Sequence, residues 1–100
     1  MEYNKIENDK DSFLARALRE RARNLAEHEY LISEIRATAQ GLADLAQKLE
    51  SDPEWGFSID AVKESVSALD MKQRRSRILR TEITNANTAL KSLDIPVNGV

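Results

Sequence analysis

The chain contains no cysteine, and its 100 residues include only three glycines, two prolines and five aromatic residues. Without cysteine, disulfide frameworks and thiolate chemistry are excluded, which fits a reducing compartment. No run of eighteen apolar residues occurs, so no membrane span is predicted. The first residues, Met1 to Lys5, lack the apolar core of a signal peptide. We therefore expect a cytoplasmic protein.

Charges of the two signs are nearly balanced, with 15 Lys and Arg residues and 17 Asp and Glu residues. The net charge of -2 argues against general nucleic-acid binding. The composition, 41% hydrophobic and 32% charged, suits an ordered soluble protein rather than a disordered one. Few glycines and prolines favour long helices. The length allows one domain, residues 1–100.

The first predicted helix runs from about 12 to 50, after a polar N-terminal tail of about eleven residues. Between Ser12 and Glu50 there is no proline and only one glycine, Gly41. Two rows repeat every seven residues and are apolar except at Arg21 and His28: Leu18, Leu25, Ile32, Ala39 and Ala46, and Leu14, Arg21, His28, Ile35, Leu42 and Leu49. This spacing predicts a helix with one seam, in which Ala39 and Ala46 permit close approach of another helix.

Residues 51–57 form the predicted turn. Pro53 cannot continue a helix, and Gly56 permits backbone angles that other residues avoid. Ser58 is a good N-cap, with Phe57 and Val62 at the two ends of a hydrophobic staple. The second helix is predicted over 58–93, ended by Asp94-Ile95-Pro96 and followed by a short tail. Its stripe breaks the heptad between positions 76 and 83 and consists of Val62, Val66, Leu69, Gln73, Ser76, Leu79, Ile83, Ala86, Leu90 and Leu93.

A short turn between long helices predicts an all-α, antiparallel two-helix hairpin. Pairing Leu49 with Val62 places Arg21 opposite Leu90. Two helices cannot cover both stripes, since Leu31 and Leu45 lie beside the first seam and Ile78 lies beside the second. We therefore expect a homo-oligomeric helical bundle.

No catalytic or metal-binding motif is recognised. The single histidine, His28, would need a second histidine at position 32 for a zinc-protease helix, and Ile32 stands there. Neither a nucleophile elbow nor a phosphate-binding glycine loop is present. We expect a non-enzymatic protein without metal or cofactor, with His28 as a seam or surface residue.

The Trp55-Gly56-Phe57 segment has two interpretations. Trp55 and Phe57 either plug the closed end of the hairpin or anchor a protein partner. Both interpretations use large aromatic side chains, which are common in cores and at interfaces.

A basic cluster in the second helix is the strongest indication of a binding site. Lys72, Arg74, Arg75, Arg77 and Arg80 lie within nine residues that contain no acid. The hairpin register brings Arg36 level with Arg74 and Arg75. Arginine suits bidentate phosphate contacts, so these side chains are a candidate anion site. The alternative is a solvated face neutralised by Glu29, Glu34 or Glu82. A second group, Arg16, Arg19 and Arg23, alternates with Glu20 and Glu27 and is expected to form ordinary surface pairs.

Two segments resemble a family of small phage proteins that sequester cyclic oligonucleotides and thereby silence the bacterial CBASS defence. Residues 23–37 are similar to the family's first-helix pattern of Arg-Asp-Leu, an acidic turn, then Leu-Ile-Asn-x-Ile-Lys-Ala, with one gap. Residues 80–90 resemble its second-helix pattern of Arg-Thr-Asp-Leu followed by Ala-Leu. Together the two segments cover about a quarter of the chain.

The resemblance implies a compact homo-oligomer, a hexamer in that family, with nucleotide pockets between protomers. The family's pocket lysine falls on Arg36, which preserves a positive charge for phosphate. Its base-stacking tyrosine falls on Ala22, which has no ring, so Tyr30 from another protomer is the candidate replacement.

The preferred functional hypothesis is therefore a phage anti-defence protein, acting in the host bacterial cytoplasm. It would bind a cyclic di- or trinucleotide through Arg36, Arg74, Arg75 and Arg77, with Tyr30 contributing. The alternative is a protein–protein interaction module or inhibitor that binds a host protein through a helix face, with Trp55 and Phe57 as anchors.

Overall fold

The structure is a computed structural model that describes the backbone of residues 2–93 and the side chains of residues 12–93. Two helices account for almost all of it, α1 (Glu2–Ser51) and α2 (Ile59–Ser92). They pack against each other as a hairpin, which confirms the predicted all-helical fold. The predicted stop at Asp94-Ile95-Pro96 and the tail after it lie outside the described residues.

The start of α1 differs from the prediction, because the helix begins at Glu2 rather than near Ser12. Residues 2–11 contain neither proline nor glycine, so nothing in them blocks the i→i−4 hydrogen bonds of a helix. Polar side chains favour exposure to solvent, but they do not prevent a helix from forming.

The turn between the helices is built as its residues predict. Trp55 N–H donates to the carbonyl of Asp52 at 3.0 Å, which closes a β-turn with Pro53 at its second position. Ser58 caps α2, since its Oγ accepts the Ala61 N–H at 3.1 Å. Gly56, by contrast, does not adopt a left-handed backbone angle. Its predicted conformational role is therefore wrong.

The hairpin divides into two compact units, each made from both helices. In unit 1, the residues of α1 up to His28 pack with those of α2 from Leu79 onward. Unit 2 is the segment Glu29–Ile78, which includes the turn. The fully buried large side chains are Leu79 and Ile83, both in unit 1, where Leu90 is also buried. Among the described large apolar side chains of unit 2, only Leu31 is buried.

The side chains that pack between the helices follow an unbroken heptad on each helix, which we call the seam. Each seam position is buried or half-buried. On α1 the seam consists of Leu14, Ala17, Arg21, Asn24, His28, Leu31, Ile35, Thr38, Leu42, Leu45 and Leu49. On α2 it consists of Val62, Ser65, Leu69, Lys72, Ser76, Leu79, Ile83, Ala86 and Leu90.

The seam corrects the predicted α1 stripe. Leu31, predicted to lie uncovered, is buried within the single chain. Leu18, Ala39 and Ala46, predicted to lie in the seam, are exposed. The predicted row that begins at Leu18 lies one residue after the observed row that begins at Ala17, which is about 100° further around the helix. Ala39 and Ala46 therefore do not provide a close approach between α1 and α2.

The predicted stripe of α2 is corrected in the same way. Ser65 and Lys72 occupy the seam, whereas Val66 and Gln73 are exposed. With these polar residues in place there is no heptad break before Leu79. Leu93, the last predicted member, is also exposed. The predicted irregularity arose because the apolar Val66 was assigned to the stripe in place of its neighbour Ser65, and Gln73 in place of Lys72.

The observed register differs from the predicted one by almost one helical turn. In unit 1, Arg21 Nε donates to Asn87 Oδ1 at 2.7 Å, whereas the prediction placed Arg21 opposite Leu90. In unit 2, Leu45 lines the same cavity as Val62, the residue that the prediction paired with Leu49. The connection between the helices, residues 52–58, is as long as the predicted turn, so the difference arises from the residues that were paired and not from the length of the turn.

Candidate functional site

The four candidate arginines, Arg36, Arg74, Arg75 and Arg77, lie in unit 2 and are all exposed, whereas Arg80 belongs to unit 1. Arg74 Nε forms an ion pair with the Asp70 carboxylate at 3.1 Å, one helical turn earlier. Arg75 and Arg77 also interact with other groups. Asp70 was not among the acids predicted to neutralise this face. Of those, Glu34 accepts a bond from Tyr30 and Glu82 accepts one from Asn24.

The four arginines do not converge within one chain. Arg74 and Arg75 are consecutive on α2, so their side chains leave the helix about 100° apart. Arg36 and Arg77 each follow a seam residue directly, whereas Arg75 directly precedes Ser76 in the seam. Arg75 therefore lies on the opposite side of the hairpin from Arg36 and Arg77. A ligand that contacts all four arginines would therefore need more than one copy of the chain.

Tyr30 is exposed, with 61% of its surface accessible, and its hydroxyl donates to Glu34 Oε1 at 2.6 Å. This hydrogen bond, together with the negative charge of Glu34 and a small loss of solvent, raises the pKa of Tyr30. Tyr30 and Arg36 lie about 120° apart around α1. The ring can stack on a base, but the carboxylate at its hydroxyl repels a phosphate.

The closed end of the hairpin contains an open cavity of about 530 Å³. It is lined by Thr38, Gly41, Leu42, Leu45, Trp55, Gly56, Phe57, Ser58, Ala61, Val62 and Ser65. Small residues at Gly41 and Ala61 leave the space that the two aromatic rings border. The two ends of the predicted hydrophobic staple, Phe57 and Val62, both line this cavity.

The two aromatic anchors are held differently. Trp55 is half-buried, and the Lys48 ammonium lies 4.2 Å from the centre of its ring, a cation–π contact that fixes it to the end of α1. Phe57 is exposed, with its ring centre 6.1 Å from that of Trp55. Trp55 therefore closes the hairpin, as one interpretation predicted. Phe57 is the more available of the two for a partner.

Unit 1 contains an arginine-lined cleft of about 280 Å³, formed by Arg16, Arg19, Glu20 and Arg23. Glu20 was predicted to pair with these arginines. Within the side chains that the structure describes, Glu20 forms no ion pair with any of them. Exposed pairs at this spacing gain little free energy, and the side chains remain extended in water.

His28 lies in the seam, which is one of the two positions predicted for it. Its Nε2 atom is buried without a hydrogen-bond partner in the described structure. The described residues hold no group of three or more metal-ligating side chains, and none of their helical segments is long and apolar enough to cross a membrane.

Asn87 is the buried polar residue that sequence analysis missed. It directly follows the seam residue Ala86, and the spacing of apolar residues does not predict that a polar residue at such a position is buried. The signal for it was the polar seam residue Arg21 on α1, which needs a hydrogen-bond acceptor on α2.

Comparisons with protein-family models, with curated proteins and with solved structures gave no match for this chain.

Proposed function

We propose that this chain is a non-enzymatic binding protein that assembles with copies of itself and sequesters a cyclic oligonucleotide on arginines contributed by more than one copy. Arg36, Arg74, Arg75 and Arg77 carry the proposal, because they are all exposed and yet diverge around the two helices. Arginines that diverge within one chain can surround a phosphodiester ring only when copies face each other.

Assembly is supported by the small core of unit 2. Leu31 is its only described large apolar side chain that is buried, while Tyr30, Phe57, Ile59, Val66, Met71 and Ile78 are exposed. A thin two-helix layer of this kind leaves both helices half in water. Association with further copies would remove that apolar surface from water, at about 25 cal/mol per Å².

The ligand class follows from the guanidinium groups. A cyclic oligonucleotide presents one phosphate per nucleotide at fixed spacing, and arginine binds phosphate through two parallel hydrogen bonds. No metal is needed for such binding. The resemblance to phage proteins that sequester these signals names the same ligand class, with Arg36 in the phosphate-binding position.

The test is thermal unfolding of the purified protein against cyclic di- and trinucleotides, with linear dinucleotides as controls. A ligand present at one hundred times its dissociation constant adds about 2.7 kcal/mol, which raises the melting temperature by several degrees. The shift should weaken with added salt and persist in metal-free buffer. Absence of a shift with every cyclic ligand would refute the proposed ligand class.

Two substitutions localise the site. Arg75→Ala and Arg36→Ala should each abolish the shift without loss of helicity, because both side chains are exposed. Arg19→Ala in unit 1 is the matched control and should retain the shift. Equal loss in Arg19→Ala would show that only the total positive charge is sensed.

A second candidate function, binding of a protein partner at the closed end of the hairpin, is favoured by the cavity beside Phe57. The partner would insert an apolar side chain into this cavity. Trp55 is the only tryptophan and borders the cavity, so its fluorescence reports occupancy. Phe57→Ala should weaken binding of such a partner while leaving any nucleotide-induced shift unchanged.

A further inference from the structure

Beside the seam of unit 2 lies a second apolar surface, which we call the flanking face. It consists of Ile32, Ala39 and Ala46 on α1, with Ile59 and Val66 on α2, where the row continues into the polar Gln73. Each of these residues directly follows a seam position or, for Ile59, the capping residue Ser58. Because α1 and α2 are antiparallel, positions with the same offset from the seam lie on the same side of the hairpin. All but the half-buried Ile32 are exposed.

The flanking face is bordered by charges of opposite sign on the two helices. The next row outward holds Glu29 and Arg36 on α1, and Asp70 and Arg77 on α2, and all four are exposed. In the register that stacks Leu45 beside Val62, Glu29 lies level with Arg77, and Arg36 lies level with Asp70. The two edges of this strip are therefore complementary in charge at these two levels, whereas at the next level the exposed Lys63 lies opposite Ala43.

A second copy of this chain fits that pattern. When two flanking faces meet across a twofold axis parallel to the helices, each α1 lies over the partner's α2 at the same level. Glu29 then faces the partner's Arg77, and Arg36 faces the partner's Asp70. The alternative dyad, perpendicular to the helices, places α1 over α1, so the match between the two edges is lost.

We infer that the flanking face is the surface through which two copies form an antiparallel four-helix bundle, fixed in register by the pairs Glu29–Arg77 and Arg36–Asp70. The small side chains of Ala39 and Ala46 allow the partner's α2 to approach closely. Ile59 and Val66 supply the larger apolar contacts. This inference rests on the self-association in the proposed function and identifies its surface, whatever the ligand is.

The apolar part is tested by two aspartate substitutions on the same helix of unit 2. Val66 and Ile78 are 50% and 51% exposed, so neither substitution disturbs a core. Val66 lies on the flanking face, whereas Ile78 directly follows Arg77 and lies on the outer side of α2. Sedimentation velocity over a range of concentrations should show that Val66→Asp is monomeric and that Ile78→Asp associates as the native chain does. Equal behaviour of the two variants, or a native chain that stays monomeric throughout, would overturn the inference.

The charge pairs are tested by reversal and exchange. Arg36→Asp places two carboxylates face to face at both symmetric positions, so the dissociation constant of the dimer should rise by about tenfold or more. Adding Asp70→Arg restores opposite charges and should bring it back to within about threefold of native. Loss of the Asp70–Arg74 pair matters little, because both side chains are exposed. Failure of the exchange to restore association would exclude this register.

The same samples separate this inference from the ligand proposal. The nucleotide-induced shift is measured on the native chain, and association is measured on Val66→Asp, which retains all four arginines. If this variant associates normally while the native chain binds nucleotide, only the inferred surface is wrong. If it is monomeric and no cyclic nucleotide shifts the native chain, the surface is right and the ligand class is wrong.

Discussion

The hydrogen bond between Arg21 and Asn87 gives the most direct quantitative test of the seam. Arg21 Nε donates to Asn87 Oδ1 at 2.7 Å, and Asn87 is only 8% exposed, between the buried Ile83 and Leu90. A hydrogen bond to a charged group contributes about 1.5–3 kcal/mol, and a buried amide left without its partner costs about 1–3 kcal/mol. We expect Asn87→Leu and Arg21→Leu each to lower the free energy of unfolding by about 1–3 kcal/mol.

The double variant, Arg21→Leu with Asn87→Leu, should be more stable than the sum of the single effects predicts. Replacing both partners leaves neither a buried charge nor an orphaned amide, and it extends the apolar core. The coupling energy from the double-mutant cycle should be about 1–2 kcal/mol. Thr88→Ala, at an exposed neighbour whose hydroxyl bonds only within its own helix, should change stability by about 0.5 kcal/mol or less.

Urea unfolding followed by helical circular dichroism measures these values. All variants must be compared at one protein concentration, because association would add to the apparent stability. Single effects that add to within about 0.5 kcal/mol would refute the coupling, since independent sites behave in that way. Arg21 would then be an ordinary surface arginine and the observed register would lose its main support.

Three further predictions test other parts of the molecule. Ile83→Ala should lower the free energy of unfolding by about 2–5 kcal/mol in urea, because Ile83 is fully buried; a change below 1 kcal/mol would contradict that burial. Gly41→Ala should raise it by about 0.5–1 kcal/mol, since Gly41 is inside α1 and a Cβ there meets no atom within 4 Å; destabilisation would indicate that another copy packs on Gly41. In a Tyr3→Phe background, ultraviolet titration should place the Tyr30 pKa above its ordinary value, and Glu34→Gln should lower it. The stabilising Tyr30–Glu34 hydrogen bond is present below the ordinary tyrosine pKa and is lost as pH rises through the raised one.

The helices and the turn could be predicted from the sequence because their signals are local. Pro53 at the second position of a β-turn and Ser58 as an N-cap act through their own backbone and that of their neighbours. The start of α1 was not predicted correctly, because no local signal marks it. Polar residues between Glu2 and Ser12 carry no local signal that forbids a helix, so polarity alone was a poor guide.

The seam was harder to predict, because several apolar rows compete for it on each helix. On α1, Leu25 and Ala39 are more apolar than Asn24 and Thr38, which directly precede them, and yet the row that contains Asn24 and Thr38 lies in the seam. A seam is selected by how two helices fit together over their whole length, including the polar contacts between them. Apolarity at single positions does not contain that information.

The unused apolar row is informative for the same reason. Ile32, Ala39 and Ala46 repeat with heptad spacing but do not pack between α1 and α2. Two adjacent rows on one helix indicate two interfaces. The row that contains Ile32 was predicted to lie in the seam, and further copies were inferred because Leu31 and Leu45 were left beside it. The structure separates the rows, and the row outside the seam is the one assigned to the second copy.

The candidate arginines could be identified from the sequence as a group but not as a site. Their clustering within residues 72–80 reflects chain proximity, whereas a binding site needs side chains that point to one place. The periodicity of α2 sends Arg74 and Arg75 in different directions. The pairing of Asp70 with Arg74 does have a local signal, the i,i+4 spacing on one helix, but the acids predicted to neutralise the cluster did not include Asp70.

Arg36 and Arg77 take part in both proposals, and this overlap makes the ligand and the assembly interdependent. If a nucleotide binds these two arginines, it competes with Asp70 and Glu29 of the partner, so saturating ligand should dissociate the four-helix bundle. If it binds Arg74 and Arg75 between bundles, it should instead drive association beyond the dimer. Because binding linkage is reciprocal, the dimer must weaken or strengthen nucleotide binding by the same factor. Sedimentation with and without the cyclic ligand, repeated on Val66→Asp, distinguishes the two cases, and an unchanged distribution despite a thermal shift would place the ligand away from both sets of arginines.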